Sequence, residues 1–121
     1  MIVGIGTDLV EIERIKKACE KEAFGACIYR RRASAGWGKC VPARRRFCGK
    51  EAVSKVFGTG FRGFGLLDIE VLRDEFGKPW VQLHGGAKKL ADSLKITRIH
   101  VSITNTGSLA SAYAVGEGEW K

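Results

Sequence analysis

The chain has 121 residues, of which 45% are hydrophobic, and it carries 21 Lys and Arg against 13 Asp and Glu, a formal net charge of +8. This length suits one domain and leaves no room for two, and the even spread of apolar residues excludes intrinsic disorder. The positive charge favours acidic partners such as nucleic acid, a phosphorylated cofactor or an acidic protein, without choosing among them.

The amino terminus and the cysteines indicate where the protein works. The opening residues, MIVGIGTDLVEIERI, have no basic leader and soon reach acidic residues, so we interpret them as neither a signal peptide nor a membrane span. The cysteines lack the CxxC spacing of structural zinc sites and are interpreted as free, partly buried thiols: Cys19, Cys27, Cys40 and Cys48. We therefore expect a cytoplasmic protein that binds no membrane.

The hydrophobic pattern predicts an order of strands and helices that is typical of an α+β domain with an antiparallel sheet packed with helices. The EFGK stretch predicts a hairpin turn, whereas residues 29–46 follow neither the helix nor the strand period. We expect a single domain covering 1–121. In chain order, the predicted elements are a strand at 2–5, helices at about 13–24 and 43–57, strands at 66–74 and 79–84, a helix at 86–96, and strands at 98–104 and 108–117.

A glycine-rich turn follows the second predicted helix. Residues 58–63, GTGFRG, match GxGxxG, but a dinucleotide-binding fold needs this motif after a strand and before a helix, and here the order is reversed. No glycine-rich segment closes with the GK[ST] of a Walker A loop. The turn Gly58-Thr59-Gly60 is therefore either a plain helix cap or a set of backbone groups that face a ligand.

Two carboxylates are candidates for a cation site. Asp8 lies at or near the end of the first apolar strand, where a carboxylate is costly unless it is exposed, paired or bound to a cation. Glu51 lies between Phe47 and Ser54, two positions predicted to face inward. If the two carboxylates lie close together, they form a suitable site for Mg²⁺, which keeps its other coordination positions for water and phosphate. The spacing alone favours the simpler interpretation, an i,i+4 ion pair of Glu51 with Lys55.

The histidines and the arginine runs carry weaker signals. His84 and His100 lie on predicted strands, where structural or surface roles are the ordinary ones. Arginines at 30–32 and 44–46, with Trp37 between them, are typical of a solvated face or of a module that binds RNA. A basic nucleic-acid-binding module is therefore the alternative from another function class.

Four segments together resemble a known family. The blocks GIGTDLVEIERI, RFCGKEAVSKVFGTG, LLDIEVLRDEFGKPWVQL and IHVSITNTGSLASAYAV resemble, in order and spacing, the signature blocks of bacterial holo-acyl-carrier-protein synthase, the small 4′-phosphopantetheinyl transferase. The resemblance covers most of the chain outside residues 25–45. It implies that family's fold and its activity, the transfer of 4′-phosphopantetheine from coenzyme A to a serine of apo acyl-carrier protein, with adenosine 3′,5′-bisphosphate as the other product.

The resemblance also implies roles for individual residues. Asp8 and Glu51 would be the Mg²⁺ ligands, with Lys55 beside the coenzyme A phosphates. Metal and lysine would neutralise the charge that builds on the leaving bisphosphate, while Glu51 or a metal-bound water relays the serine proton. The nucleotide would be flanked by Gly58, Thr59, Asn105 and Thr106.

A homotrimer with active sites at subunit interfaces is implied as well, and an oligomer suits a short chain with a small core. Arg14 matches a family position that contacts the carrier protein, and the net charge of +8 suits an acidic carrier. An exposed, solvated role is the alternative for Arg14.

Two features depart from the family pattern. Asn105 stands where the family commonly has histidine, and an amide can hydrogen-bond to phosphate but cannot titrate near neutral pH. Residues 30–45 are rich in Arg, Gly, Ala and Trp, and we interpret them as either a frameshifted or a lineage-specific segment. A coenzyme A-binding homologue with impaired catalysis is therefore a further alternative.

Overall fold

The computed structural model describes residues 1–18, 20 and 40–119, with side chains from residue 45 onward in the last of these ranges. Several predictions concern positions outside the described residues. These are the end of the first predicted helix, Cys19, Cys27, the side chain of Cys40, the arginines at 30–32, Trp37, and the altered segment up to residue 39.

Helices and strands follow one another in the predicted order. The strands are β1 (Ile2–Glu11), β2 (Ile69–Arg73), β3 (Pro79–Leu83), β4 (Ile96–Asn105) and β5 (Leu109–Gly118). The helices are α1 (Ile12–Ala18), α2 (Cys40–Val56) and α3 (Gly85–Ser93), and a short 3₁₀ turn covers Leu66–Asp68. No helix in these ranges has the length and apolar character needed to cross a membrane.

The strands form two antiparallel sheets, which confirms the α+β prediction. The larger sheet has the order β1-β5-β4, and the smaller is the β2-β3 hairpin. The central strand β5 alternates strictly between buried and less buried positions, and small residues on its buried face pack under α2. This face carries Ala110, Ala112, Ala114, Gly116 and Gly118.

Helix α2 lies unusually close to β1 because two glycines leave room for its backbone. A Cβ atom at Gly4 would collide with the carbonyl oxygen of Val56, and one at Gly6 would collide with that of Ala52. Any larger residue at either position would push the helix off the sheet. The GIG stretch therefore sets the distance between α2 and the next inward-facing residue of β1, Asp8.

Three predicted boundaries are wrong, each for a tertiary reason. Strand β1 continues to Glu11, because β5 pairs with it along that whole length. Helix α3 ends at Ser93, since Lys95 has a positive φ of 61° that reverses the chain before Ile96 pairs with Gly118. Residues 66–68 form a 3₁₀ turn rather than the start of a strand.

Candidate active site

The candidate site lies between β1 and α2. Asp8 occupies an inward-facing position of β1, opposite Ala112 of β5, and its side chain is only 13% exposed. Glu51 and Lys55 lie one turn apart on the part of α2 that crosses β1, because residues four apart share a helix face. The fold thus brings together the three residues to which the sequence assigned chemistry.

Lys55 is bound to β1. Its Nζ donates to the backbone carbonyl of Thr7 at 2.8 Å and to Oδ1 of Asp8 at 3.3 Å. Among the described residues the ion pair of Lys55 is therefore with Asp8, and the i,i+4 pair with Glu51 that the spacing favoured is not formed. The Lys55 side chain remains about half exposed, at 52%, so it is open to a bound anion.

Glu51 is in an environment that disfavours its charge. Burial raises the pKa of the Glu51 carboxyl, the negative charge of Asp8 raises it further, and Lys55 lowers it in part. A partly buried carboxylate beside a second carboxylate is stabilised by a cation between the two groups or by a proton. The opposing effects of Asp8 and Lys55 on Glu51 confirm that the three groups form one electrostatic cluster.

Asp8 has an oxygen without a partner. Oδ2 is buried and accepts no hydrogen bond from the described residues, and a buried carboxylate oxygen left in this state is costly. The geometry fits a hard cation, which takes one or two protein oxygens and completes its shell with water and phosphate. No group of three or more His, Cys, Asp or Glu side chains suited to a metal occurs within the described ranges, so these residues form no closed metal cage.

Cys48 lies beneath the cluster. Its Sγ donates to the carbonyl oxygens of Asp8 at 3.4 Å and Ala110 at 3.5 Å, and the side chain is fully buried. Burial raises the pKa of the Cys48 thiol to about 12, with further contributions from Asp8 and Glu51. The prediction of a free, buried thiol is confirmed for this cysteine, which ties β1 and β5 to α2 as a neutral group.

The glycine turn begins at Gly58, two residues after α2 ends at Val56 and three residues after Lys55. Gly58 and Gly60 have φ values of 72° and 67°, in the left-handed region that favours glycine. The Gly58 amide donates to the carbonyl of Lys55 at 3.2 Å, and the hydroxyl of Thr59 donates to the carbonyl of Gly60 at 3.1 Å. The turn is a helix cap whose exposed backbone lies next to the lysine.

Asn105 and Thr106 lie apart from this cluster in the single chain. They form the turn between β4 and β5, where Oγ1 of Thr106 accepts from the amides of Ser108 at 3.3 Å and Leu109 at 3.1 Å. Strand β5 separates β4 from β1, and the register places Asn105 two strand spacings, roughly 10 Å, across the sheet from Val10 and farther from Asp8. One chain therefore does not bring the two halves of the predicted nucleotide site together.

Arg14 also lies outside the cluster, on the exposed side of α1. It borders an apolar groove of about 460 Å³. The apolar lining comes from β1, α1, α2 and β5 and includes Leu9, Ile15, Phe47 and Leu109.

The histidines have structural partners, as the sequence indicated. His84 Nε2 lies 2.9 Å from Oε1 of Glu70, and His100 Nε2 lies 3.1 Å from Oε1 of Glu117. The hydrogen bond from His100 lowers the pKa of the Glu117 carboxyl. Neither histidine belongs to the Asp8 cluster.

The sequence did not predict two features next to the cluster. The carbonyl of Thr7 accepts the shorter hydrogen bond of Lys55, and the side chain of Lys50, a neighbour of Glu51, is almost wholly buried. The position of a backbone carbonyl cannot be inferred from residue types. A lysine among apolar residues on one face of a helix is only a weak sign that the lysine is buried.

Comparison with known proteins identifies the family. Residues 4–114 match the family model ACPS, described as the 4′-phosphopantetheinyl transferase superfamily. The chain is 51% identical over 118 residues to the holo-[acyl-carrier-protein] synthase of Lachnoclostridium phytofermentans, covering 97% of both sequences. It is 44% identical over 130 residues to that of Clostridium perfringens, covering 99% of this chain and 97% of the relative.

Solved structures give the same result. The holo-[acyl-carrier-protein] synthase of Neisseria meningitidis superposes with a TM-score of 0.85 at 30% identity, over 97% of this chain and 99% of that one. The synthase of Bacillus anthracis, solved in complex with CoA (3′,5′-ADP), superposes with a TM-score of 0.77 at 32% identity, over 98% of this chain and 99% of that one.

Proposed function

Because the chain belongs to the holo-acyl-carrier-protein synthases of the 4′-phosphopantetheinyl transferase superfamily, we propose that it transfers 4′-phosphopantetheine from coenzyme A to a serine of an apo acyl-carrier protein. The serine oxygen forms a bond to the β-phosphorus of coenzyme A, the pyrophosphate bond breaks, and adenosine 3′,5′-bisphosphate leaves. The observation that carries the proposal is the cluster of Asp8, Glu51 and Lys55 between β1 and α2.

Asp8 and Glu51 would hold the Mg²⁺ ion. The unpartnered Oδ2 of Asp8 and the raised pKa of Glu51 both support a bound cation at this place. When bound, Mg²⁺ would neutralise negative charge on the pyrophosphate of coenzyme A. Glu51 lies in the same cluster, so its carboxylate would also be able to accept the proton of the attacking serine.

Lys55 is the cation that the chain itself brings to the phosphates. Its ammonium donates to the Thr7 carbonyl and to Asp8, the side chain is half exposed, and one of its three N–H donors remains for a phosphate oxygen. The exposed backbone of Gly58 and Thr59 lies directly beyond it. We propose that this turn follows the coenzyme A phosphates while Lys55 stabilises the charge that develops on the leaving group.

We propose that the active protein is a homotrimer. Two observations support an oligomer: the nucleotide-site residues Asn105 and Thr106 lie two strands away from Asp8, and the outer face of the β1-β5 sheet is apolar and exposed. On that face Ile5 is 70% exposed, Leu9 64% and Tyr113 61%. Because β1 is the edge strand of its sheet, a neighbouring chain that packs along this edge could bring its own Asn105 and Thr106 to the Asp8 cluster.

The proposed partners are coenzyme A and an acidic apo acyl-carrier protein in the cytoplasm. Arg14 borders the apolar groove at the end of β1, and with a net charge of +8 the chain attracts an acidic carrier. We propose neither nucleic acid nor a membrane as a partner. The nucleic-acid-binding alternative rested only on the positive charge and on Trp37 near the arginines.

The test is a mass-spectrometric assay of apo carrier protein with coenzyme A and Mg²⁺. The unaltered chain should add one phosphopantetheine to the carrier, and Glu51→Gln should abolish the addition while keeping the fold. A matched control is Glu70→Gln, because Glu70 is a partly buried acid that pairs with His84 away from the cluster. Equal loss in both variants would contradict the assigned role of Glu51.

A coenzyme A-binding protein with impaired transfer is the second candidate, and two observations favour it. Asn105 stands in the position of the family histidine, and its amide reaches only the Thr106 carbonyl, at 3.4 Å. Nε of Arg45, the last residue of the altered segment, is buried without a partner among the described residues. Coenzyme A binding without carrier modification, restored by Asn105→His, would support this candidate.

A further inference from the structure

A buried lysine next to Glu51 has no part in the transfer chemistry. Lys50 is 1% exposed, one of the largest fully buried side chains among the described residues. Lysines are almost never fully buried unless they are paired. An apolar residue of the same length would fill the space at less desolvation cost, so the ammonium must serve a specific contact.

One of its contacts is with the far end of the glycine-rich loop, which we define as residues 58–65. Nζ of Lys50 donates to the carbonyl oxygen of Leu66 at 2.9 Å. Leu66 is the first residue of the 3₁₀ turn into which the loop runs. Lys50 thus connects the middle of α2 to the exit of a loop whose entrance, at Gly58, is fixed to the end of the same helix.

The loop needs such a connection because its own backbone is permissive. Gly58, Gly60 and Gly63 all have positive φ angles, of 72°, 67° and 80°, and glycine in such positions has the greatest conformational freedom of any residue. Apart from Phe64, the loop is exposed. Phe64 packs edge-to-face against Phe57, with ring centroids 5.4 Å apart. Lys50 and Phe64 are therefore two anchors on the exit side of the loop.

Lys50 and Glu51 are successive residues, so their side chains leave α2 about 100° apart. Glu51 feels the charges of Asp8 and Lys55 on one side, while the ammonium of Lys50 lies at Leu66 on another. One segment of helix therefore carries the acid of the cluster and the anchor of the loop.

We propose that Lys50 is a positioning residue that sets the register of the 58–65 loop against Glu51 and Lys55 and so controls affinity for the phosphates of coenzyme A. The inference rests on the proposed function of the loop in coenzyme A binding.

The test uses Lys50→Met, which keeps the length and volume of the side chain and removes its donors. We expect the Kd and KM for coenzyme A to rise by about tenfold or more, as for the loss of a charged hydrogen bond, with KM for the carrier protein unchanged. Amide hydrogen exchange in residues 58–66 should become faster. The control is Val53→Ala, a fully buried α2 residue, which should lower the unfolding temperature without changing coenzyme A affinity or exchange in the loop.

The outcomes separate the inference from the proposed function. Lys50→Met with unchanged affinity and loop exchange, in a chain that transfers phosphopantetheine normally, would overturn the role of Lys50 alone. An equal loss of affinity in Val53→Ala would do the same. If the unaltered chain does not bind coenzyme A, the proposed function fails together with the inference. If Lys50→Met does not fold, Lys50→Gln, whose shorter side chain cannot reach Leu66, takes its place with the same expectations.

Discussion

Lys55 of helix α2 donates to Asp8 of strand β1 across 3.3 Å, and not to Glu51 one turn away on its own helix. The strand offers the lysine two acceptors, since the carbonyl of Thr7 lies 2.8 Å from the same nitrogen. Glu51 is thereby left beside Asp8 with a raised pKa. This arrangement creates an acidic pair with an adjacent, half-exposed cation, which is the combination that a metal and a pyrophosphate together require.

Removal of the Asp8 charge should separate metal binding from folding. We expect Asp8→Asn to lower Mg²⁺ affinity in the absence of carrier protein, measured by calorimetry, and to lower kcat/KM by about a hundredfold or more. The unfolding free energy should stay equal or rise, because the buried Oδ2 has no partner to lose.

Asp92→Asn is the matched control for this change, because Asp92 is an exposed acid paired with Lys88 on α3. It should leave Mg²⁺ affinity and transfer unchanged. Loss of stability in Asp8→Asn without loss of metal affinity would contradict the metal assignment.

Neutralisation of Lys55 should act on the phosphates and also on the fold. We expect Lys55→Met to raise KM for coenzyme A and to lower kcat, because the ammonium is needed most when charge develops on the leaving group. The unfolding free energy should fall by about 1–3 kcal/mol, because Asp8 is only 13% exposed and loses the partner of its Oδ1. Lys88→Met, at an exposed ion pair, should leave both kinetic constants as they are, and the comparison is made by steady-state kinetics.

The close approach of α2 to β1 should depend on Gly6. Gly6→Ala forces a Cβ against the carbonyl of Ala52, and we expect a loss of about 1–3 kcal/mol in the unfolding free energy together with weaker Mg²⁺ binding. Gly107→Ala is the control, since a Cβ at Gly107 meets open space. Urea unfolding measures both variants, and equal stability of the two would show that the helix can shift without cost.

Alkaline pH should destabilise the protein through Cys48. The folded pKa of about 12 lies above the ordinary value of 9.0, so the protonated thiol contributes stability below pH 9 that is lost as the pH rises towards 12. Each pH unit in this window costs up to about 1.4 kcal/mol. Cys48→Ala should lose less stability between pH 8 and pH 10.5, measured by urea unfolding at each pH, and parallel losses would contradict the assignment.

Much of this protein can be predicted from its sequence. Hydrophobic periodicity predicts the order of helices and strands, because a helix or strand with one buried face repeats its apolar residues at a fixed spacing. The four family-like blocks indicate Asp8, Glu51 and Lys55 as candidate site residues, and the fold places these three side chains in one cluster. The end of α3 and the length of β1 could not be predicted, because the backbone conformations of Lys95 and Glu11 depend on pairing between distant strands and not on local propensity.

Tertiary structure alone decides the relationships within the site. In the sequence Lys55 has one acid at helical spacing, and only the packing of β1 against α2 presents it with Asp8 and the Thr7 carbonyl. The contact of Lys50 with Leu66 depends in the same way on where the fold places the 3₁₀ turn against α2. A long, flexible side chain binds whichever acceptor the fold brings within about 3 Å, and for Lys55 the glycines of β1 allow the close approach of helix and strand. Sequence thus determines which groups are present, and the approach of helix to sheet determines which of them interact.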